Sequence, residues 1–207
     1  MMNKIFIEAK KEATAECQFL KTILSLYFPD KEVKFVCMDG VGNLFTESIM
    51  NQIEQAAEDG EQVIVLLDAD TVEKRVGFVA RCEDIIEKQR RYGMNFPFFL
   101  YPNHADDGDV ETLMESLARK DLHPVWWDCF EDYERCVGGV SDETGLQRYV
   151  LPNRKAKLHT FISSQRLKKP QRDKLGGGNW LFDDADYWDL SRQELHPLVE
   201  FFRNNLQ

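Results

Sequence analysis

Two aspartates one residue apart, Asp68 and Asp70, end the most apolar run of the chain, Val63-Ile64-Val65-Leu66-Leu67. Carboxylates so close repel each other unless a proton, a lysine or a cation lies between them. A hard divalent cation, Mg2+ or Mn2+, suits an all-oxygen pair of this kind. The plainer alternative is a strand end whose Asp70 caps the following helix. Glu8 closes an earlier apolar run, Lys4-Ile5-Phe6-Ile7, and Asp39 follows another, Lys34-Phe35-Val36-Cys37-Met38. Carboxylates recurring at such places are the first sign of a site.

The elements that must position them are legible. An apolar run without polar alternation predicts a strand buried on both faces, as in a parallel sheet covered by helices. Strands are expected at Lys4–Glu8, Lys34–Met38, Val63–Leu67 and Phe96–Pro102, the last at an edge because of Pro97. Helical spacing of apolar residues predicts helices over Ala13–Tyr27, Glu47–Ala57 and Thr71–Arg91, the last marked by Val72, Val76, Val79, Ile85 and Ile86. Strand alternating with helix predicts an α/β fold, a doubly wound, mostly parallel four-stranded sheet. Ligands of such sheets lie beyond the carboxyl ends of the strands, where Glu8, Asp39, Asp68 and Asp70 fall. A short helix is expected at Val110–Leu117, and an aromatic, acidic helix at about 123–133. Leu158–Ile162 is an apolar core segment, Arg166–Asn179 a basic, glycine-rich loop, and Leu195–Leu206 a closing amphipathic helix. Residues 1–120 then form the α/β core, and 121–207 an α-rich extension packed on it, with the basic loop near 164–179.

Glu8 at the end of the first strand and Asp68-Ala69-Asp70 at the end of the third resemble the Toprim domain, the metal-binding module of topoisomerases, DnaG-type primases and OLD-family nucleases. Glu12, four residues after Glu8, is similar to the pattern of OLD-type nucleases and of stand-alone Toprim proteins related to them. Gly108-Asp109-Val110-Glu111 matches a Gly-x-x-Glu segment of that group, and Lys155 or Lys157 its late lysine. The ending, Tyr187-Trp188 with His196-Pro197-Leu198 and Phe201-Phe202, is also similar. Ala9 departs from the pattern, because a glycine usually follows the first glutamate. The resemblance implies Mg2+-dependent cleavage of phosphodiester bonds in nucleic acid, in the setting of prokaryotic genome defence. With no GxxxxGK[ST] segment in the chain, any ATPase would be a separate partner.

Phosphodiester cleavage by two ions needs carboxylates that hold them about 3.5–4 Å apart. Glu8, Asp68 and Asp70 would hold one ion, and Glu12 with Glu111 the second. Lys157, or Lys155, would neutralise charge building on the phosphate. For Glu12 and Glu111 the alternative is a solvated acid at a helix N-terminus. From Arg154 to Lys174 stand eight basic residues (Arg154, Lys155, Lys157, Arg166, Lys168, Lys169, Arg172, Lys174) against one acid, Asp173. That local reversal predicts a path for a phosphate backbone, or else a solvated charged loop.

The net charge of −10 excludes nucleic-acid binding by the overall field and leaves only such a local patch. Five scattered cysteines without a CxxC pair exclude a disulfide scaffold and a zinc site, and fit a reducing cytoplasm. No stretch approaches the roughly 20 apolar residues of a membrane span. Two other readings of the residues stand beside the nuclease. One is a phosphatase of the HAD type, with Asp68 as nucleophile and Asp70 as acid, although that motif normally lies on the first strand. The other is a non-catalytic Toprim-like module that binds a metal or a partner.

Overall fold

The computed structural model describes residues 2–71 and 76–207. Strands β1 (Asn3–Ile7), β2 (Val33–Cys37), β3 (Gln62–Asp68) and β4 (Phe98–Tyr101) form one sheet of order β2-β1-β3-β4, with every neighbouring pair parallel. Parallel neighbours require crossovers. Helices α1 (Ala15–Tyr27), α2 (Glu47–Glu58) and α3 (Phe78–Tyr92) lie within them.

The unbroken apolar run of β3 is explained by two cores. Ile64 and Leu66 join Ile5, Ile7, Phe99 and the α1 residues Phe19, Leu20 and Ile23 on one face. Val63, Val65 and Leu67 join Phe6, Leu100, Ile49 and Ile53 of α2, and Ile85 of α3 on the other. Helical cover on both faces leaves no position of the strand where a polar side chain would reach water. The chain is thus an α/β protein of the expected doubly wound class. Strand β4 lies at one edge of the sheet, where the missing N–H of Pro97 just before it is tolerated, while the Pro97 carbonyl accepts from Val65 N–H at 3.0 Å.

Beyond β4 come α4 (Val110–Leu117), α5 (Pro124–Gly138), α6 (Arg154–Ser163), α7 (Lys169–Gly176) and α8 (His196–Asn205). Their apolar residues, among them Met114, Trp127, Phe161, Leu198 and Phe202, enlarge the α1-side core. Gln207 pairs with the fully buried side chain of Asn3 on β1: its backbone N–H donates to Asn3 Oδ1 (3.0 Å), and its carbonyl accepts from Asn3 Nδ2 (3.1 Å).

The structure departs from the expected elements in three places. Helix α3 begins at Phe78, where Gly77 (φ 91°) turns the chain and Asp107 Oδ1 accepts the Phe78 N–H at 2.7 Å, and residues 72–75 of the helix expected from Thr71 lie outside the described residues. Of its expected apolar face, Ile85 is buried and Val79 is exposed, while Val72 lies outside the described residues. Within the expected basic loop, Lys169–Gly176 is helical, because Pro170 fits a first turn and Gln171 Oε1 holds the Lys168 N–H. Strand β4 is shorter than Phe96–Pro102 at both ends. Among the described residues no helix is long and apolar enough to cross a membrane.

Candidate functional site

Strands β1 and β3 run side by side with Ile7 opposite Leu66, so their carboxyl ends deliver Glu8 and Asp68 to the same rim. Asp68 N–H donates to Glu8 Oε1 (3.0 Å). Asp68 Oδ1 accepts from the N–H of Val110, the first residue of α4, at 2.9 Å. A helix N-terminus directs its unpaired N–H groups at an anion, and here the anion is the carboxylate of Asp68. Gly108 makes this possible. Its backbone pairs with Asp70 in both directions, at 2.7 and 2.8 Å, with φ 146°, and a Cβ there would lie 2.9 Å from Thr112 Oγ1. Asp109 then caps α4 by accepting from Thr112 N–H (2.8 Å), and Glu111 falls in its first turn. The Gly-x-x-Glu segment is therefore a turn, a cap and an acid in sequence.

The carboxylate missed in the sequence is Glu16. It is the second residue of α1 and only 9% exposed. Burial, then the charges of Glu8 and Glu111, push its acid up to about 8, against the Lys155 ammonium and the Ala9 backbone N–H. Asp68 is raised well above the usual carboxylate range by burial, then by Glu8 and Glu16, against the Val110 hydrogen bond. Glu8, Glu16, Asp68 and Glu111 thus share one poorly solvated neighbourhood. Glu12 is not in it: its side chain is exposed and paired with Lys21 Nζ at 2.7 Å. The missed signal was the stripe Glu16, Leu20, Ile23, an acid at the head of a buried helical face.

Asp70 is held on the other side of the rim. At φ 60° its Oδ2 accepts from Arg81 Nη2 of α3 at 2.7 Å, both side chains being largely buried. Asp68 engages α4 on one face and Asp70 engages α3 on the other, so the Asp-x-Asp pair straddles the sheet end. Asp39 is exposed, with Lys10 Nζ at 3.8 Å. Ala9 does not take a positive φ, so the backbone freedom of the usual glycine is not used here. Its carbonyl accepts from Asp39 N–H (3.2 Å), and that of Glu8 from Gly40 N–H (2.9 Å), extending the ladder past the strands. His104 near the rim packs on Phe99 and accepts the Leu100 N–H through Nδ1, and burial lowers its pKa.

The two late lysines part company. Lys155 Nζ lies 3.3 Å from Glu111 Oε1, at the site. Lys157 is buried, paired with Glu134 at 2.9 Å and set over the rings of Trp127 and Phe130. Arg154 binds Glu115, Asp109 and Thr112, and so braces the start of α4. Lys169 pairs with Asp173 and Lys174 with Asp183, while Arg172 donates to the Leu167 carbonyl. Arg166 and Lys168 are exposed and have no ion pair among the described residues.

Among the described residues no three His, Cys, Asp or Glu side chains stand closed on a common point as metal ligands do. The donor set nevertheless fits a hard divalent cation. It is all oxygen, its acids raise one another, and the buried hydroxyl of Tyr101 beside them has no hydrogen-bond partner among the described residues. Engagement of all four requires side-chain rotation away from the contacts described.

Fold and site together define a class: an all-parallel α/β protein with a buried carboxylate group at the carboxyl rim of its sheet. The chain belongs to the family described as Protein of unknown function (DUF3226), whose model matches residues 2–207. No curated protein and no solved structure matches it.

Proposed function

We propose that this protein is a Toprim-type phosphodiesterase, dependent on Mg2+ or Mn2+, that cleaves nucleic acid. The observation that carries the proposal is the convergence of Glu8, Glu16, Asp68 and Glu111 at the carboxyl ends of β1 and β3. Acids brought this close in a poorly solvated place need a proton or a cation. Glu8, Asp68, Glu111 and Glu16 would hold the cation from the α1 and α4 side, with Asp70 joining from the α3 side. Once bound, a divalent cation lowers the pKa of water and stabilises charge on a phosphoryl oxygen.

The chain's own groups have distinct tasks. The N–H groups of Asp68 and Val110 orient the carboxylates of Glu8 and Asp68. Lys155, beside Glu111, is placed to stabilise charge on the phosphate. Arg166 and Lys168, exposed and outside ion pairs, attract the backbone of a polymer against a net charge of −10. A phosphatase with Asp68 as nucleophile is the weaker reading, since that motif normally lies on the first strand, whereas Asp68 ends the third and would leave Glu8 without a role. On the resemblance to OLD-type nucleases, a separate ATPase partner and a role in genome defence belong to the same proposal.

The test is incubation of the purified protein with labelled single- and double-stranded DNA and RNA, in Mg2+, Mn2+ or EDTA, beside Asp68→Ala. Cleavage that needs the cation and disappears in the variant is the expected result. Absence of both cleavage and cation binding by calorimetry would refute the proposal.

A further inference from the structure

Tyr101 is the last residue of β4 and stands directly opposite Asp68 in the parallel ladder. Side chains at paired positions of neighbouring strands share a face about 5 Å apart. Tyr101 therefore lies beside Asp68 on the α1 side, in the core that also holds Phe99 and Leu66. It is fully buried, and its hydroxyl has no hydrogen-bond partner among the described residues. Burial, and then the charges of Glu16, Asp68, Glu8 and Glu111, hold that hydroxyl in its protonated, donating form. Buried hydroxyls without partners are uncommon, because leaving one unpaired costs free energy that phenylalanine in the same space would not incur. A tyrosine kept at such a place points to a bond made in another state of the site.

We propose that Tyr101 is a positioning residue of the carboxylate site, its hydroxyl donating a hydrogen bond to Glu16 and holding that carboxylate toward a bound divalent cation. The inference rests on the cation site proposed above. A donor behind a ligating carboxylate fixes its rotation and thereby raises affinity, and loss of such a donor typically costs 10–100-fold in metal binding. Tyr101 touches neither cation nor substrate and acts through Glu16.

The experiment is titration of the full chain with Mn2+ by calorimetry, with Tm measured in EDTA. It compares wild type, Tyr101→Phe, Glu16→Gln, their double variant, and Phe99→Leu as a packing control. Tyr101→Phe should keep or raise Tm in EDTA and weaken Mn2+ binding at least tenfold. In the Glu16→Gln background the same change should have little further effect, because the group it positions has been altered. Phe99→Leu should lower Tm and leave the affinity near wild type. Equal Mn2+ affinity of Tyr101→Phe and wild type would overturn the inference and leave the cation site standing. A loss of affinity in Phe99→Leu that tracks its loss of Tm would also overturn it, since binding would then follow core packing. Failure of wild type itself to bind Mn2+ would remove the site, and the inference with it.

Discussion

Glu16→Gln should make the pH dependence of stability of the cation-free protein markedly shallower. Glu16 is an acid whose folded-state pKa is raised, from 4.5 to about 8, so folding favours its protonated form. Its contribution is fully present below about pH 4.5 and is lost as pH rises through about 8. Over that span, at about 1.4 kcal/mol per pH unit, the loss reaches about 5 kcal/mol as an upper figure. For a chain of this size 1 kcal/mol moves Tm by about 2–4 °C, and about 4 kcal/mol of the loss falls between pH 5 and pH 9, so Tm in EDTA should fall by about 8–16 °C over that interval. Glutamine keeps the shape and cannot ionise, so the variant should lose the share of Glu16 and retain the decline due to Asp68, whose pKa is shifted in the same sense. Thermal unfolding followed by circular dichroism, at fixed ionic strength, measures both curves. An equally steep fall in Glu16→Gln, or a flat curve in wild type, would refute the placement of Glu16 among the carboxylates.

Saturating Mg2+ or Mn2+ should flatten the wild-type curve, because a cation that binds ionised carboxylates releases their protons and stabilises the folded state; scanning calorimetry at pH 8.5 with and without the ion reads this directly. Gly108→Ala meets both a positive φ and Thr112 Oγ1, and should lose about 1–3 kcal/mol by urea unfolding together with weaker cation binding. Lys155→Ala should abolish most cleavage with little change in Tm, whereas Lys157→Ala, which leaves Glu134 unpaired and removes an ammonium set over two aromatic rings, should lower Tm. Glu12→Gln should change urea stability by less than about 1 kcal/mol and leave cleavage intact, since its pair with Lys21 is exposed.

Strand polarity is why Glu8 and Asp68 could be placed from sequence. A parallel strand that enters the core at one end must deliver its last polar residue to the opposite rim, whatever the details of packing. Helix phase is why Glu16 and Lys155 could not be singled out. Because α1 begins at Ala15, Glu12 lies before the helix and Glu16 on its buried face, and a shift of two residues in the start changes which acid faces inward. Lys155 and Lys157, two residues apart on α6, lie about 200° apart around its axis, so only one of them can face Glu111. The start of α3 depends on Asp107, 29 residues further along the chain from Phe78, a contact that no local pattern encodes.

The pairing of Asn3 with Gln207 and the shared α1-side core also govern the order in which the chain can mature. All the carboxylates of the site are synthesised within the first 111 residues, yet the layer over their face of the sheet includes Phe161, Trp188 and Phe202. A nascent chain that has emerged only to Lys120 would cover Ile5, Ile7 and Leu66 with α1 and α4 but lack the part of that layer supplied by Phe161, Trp188 and Phe202. Its acids would lack the dry surroundings that set their behaviour. Competence should therefore arrive late and all at once, after the distal helices dock, and equilibrium unfolding should show one transition. The cleavage proposed above would then stay dormant on the ribosome until the distal helices have been made.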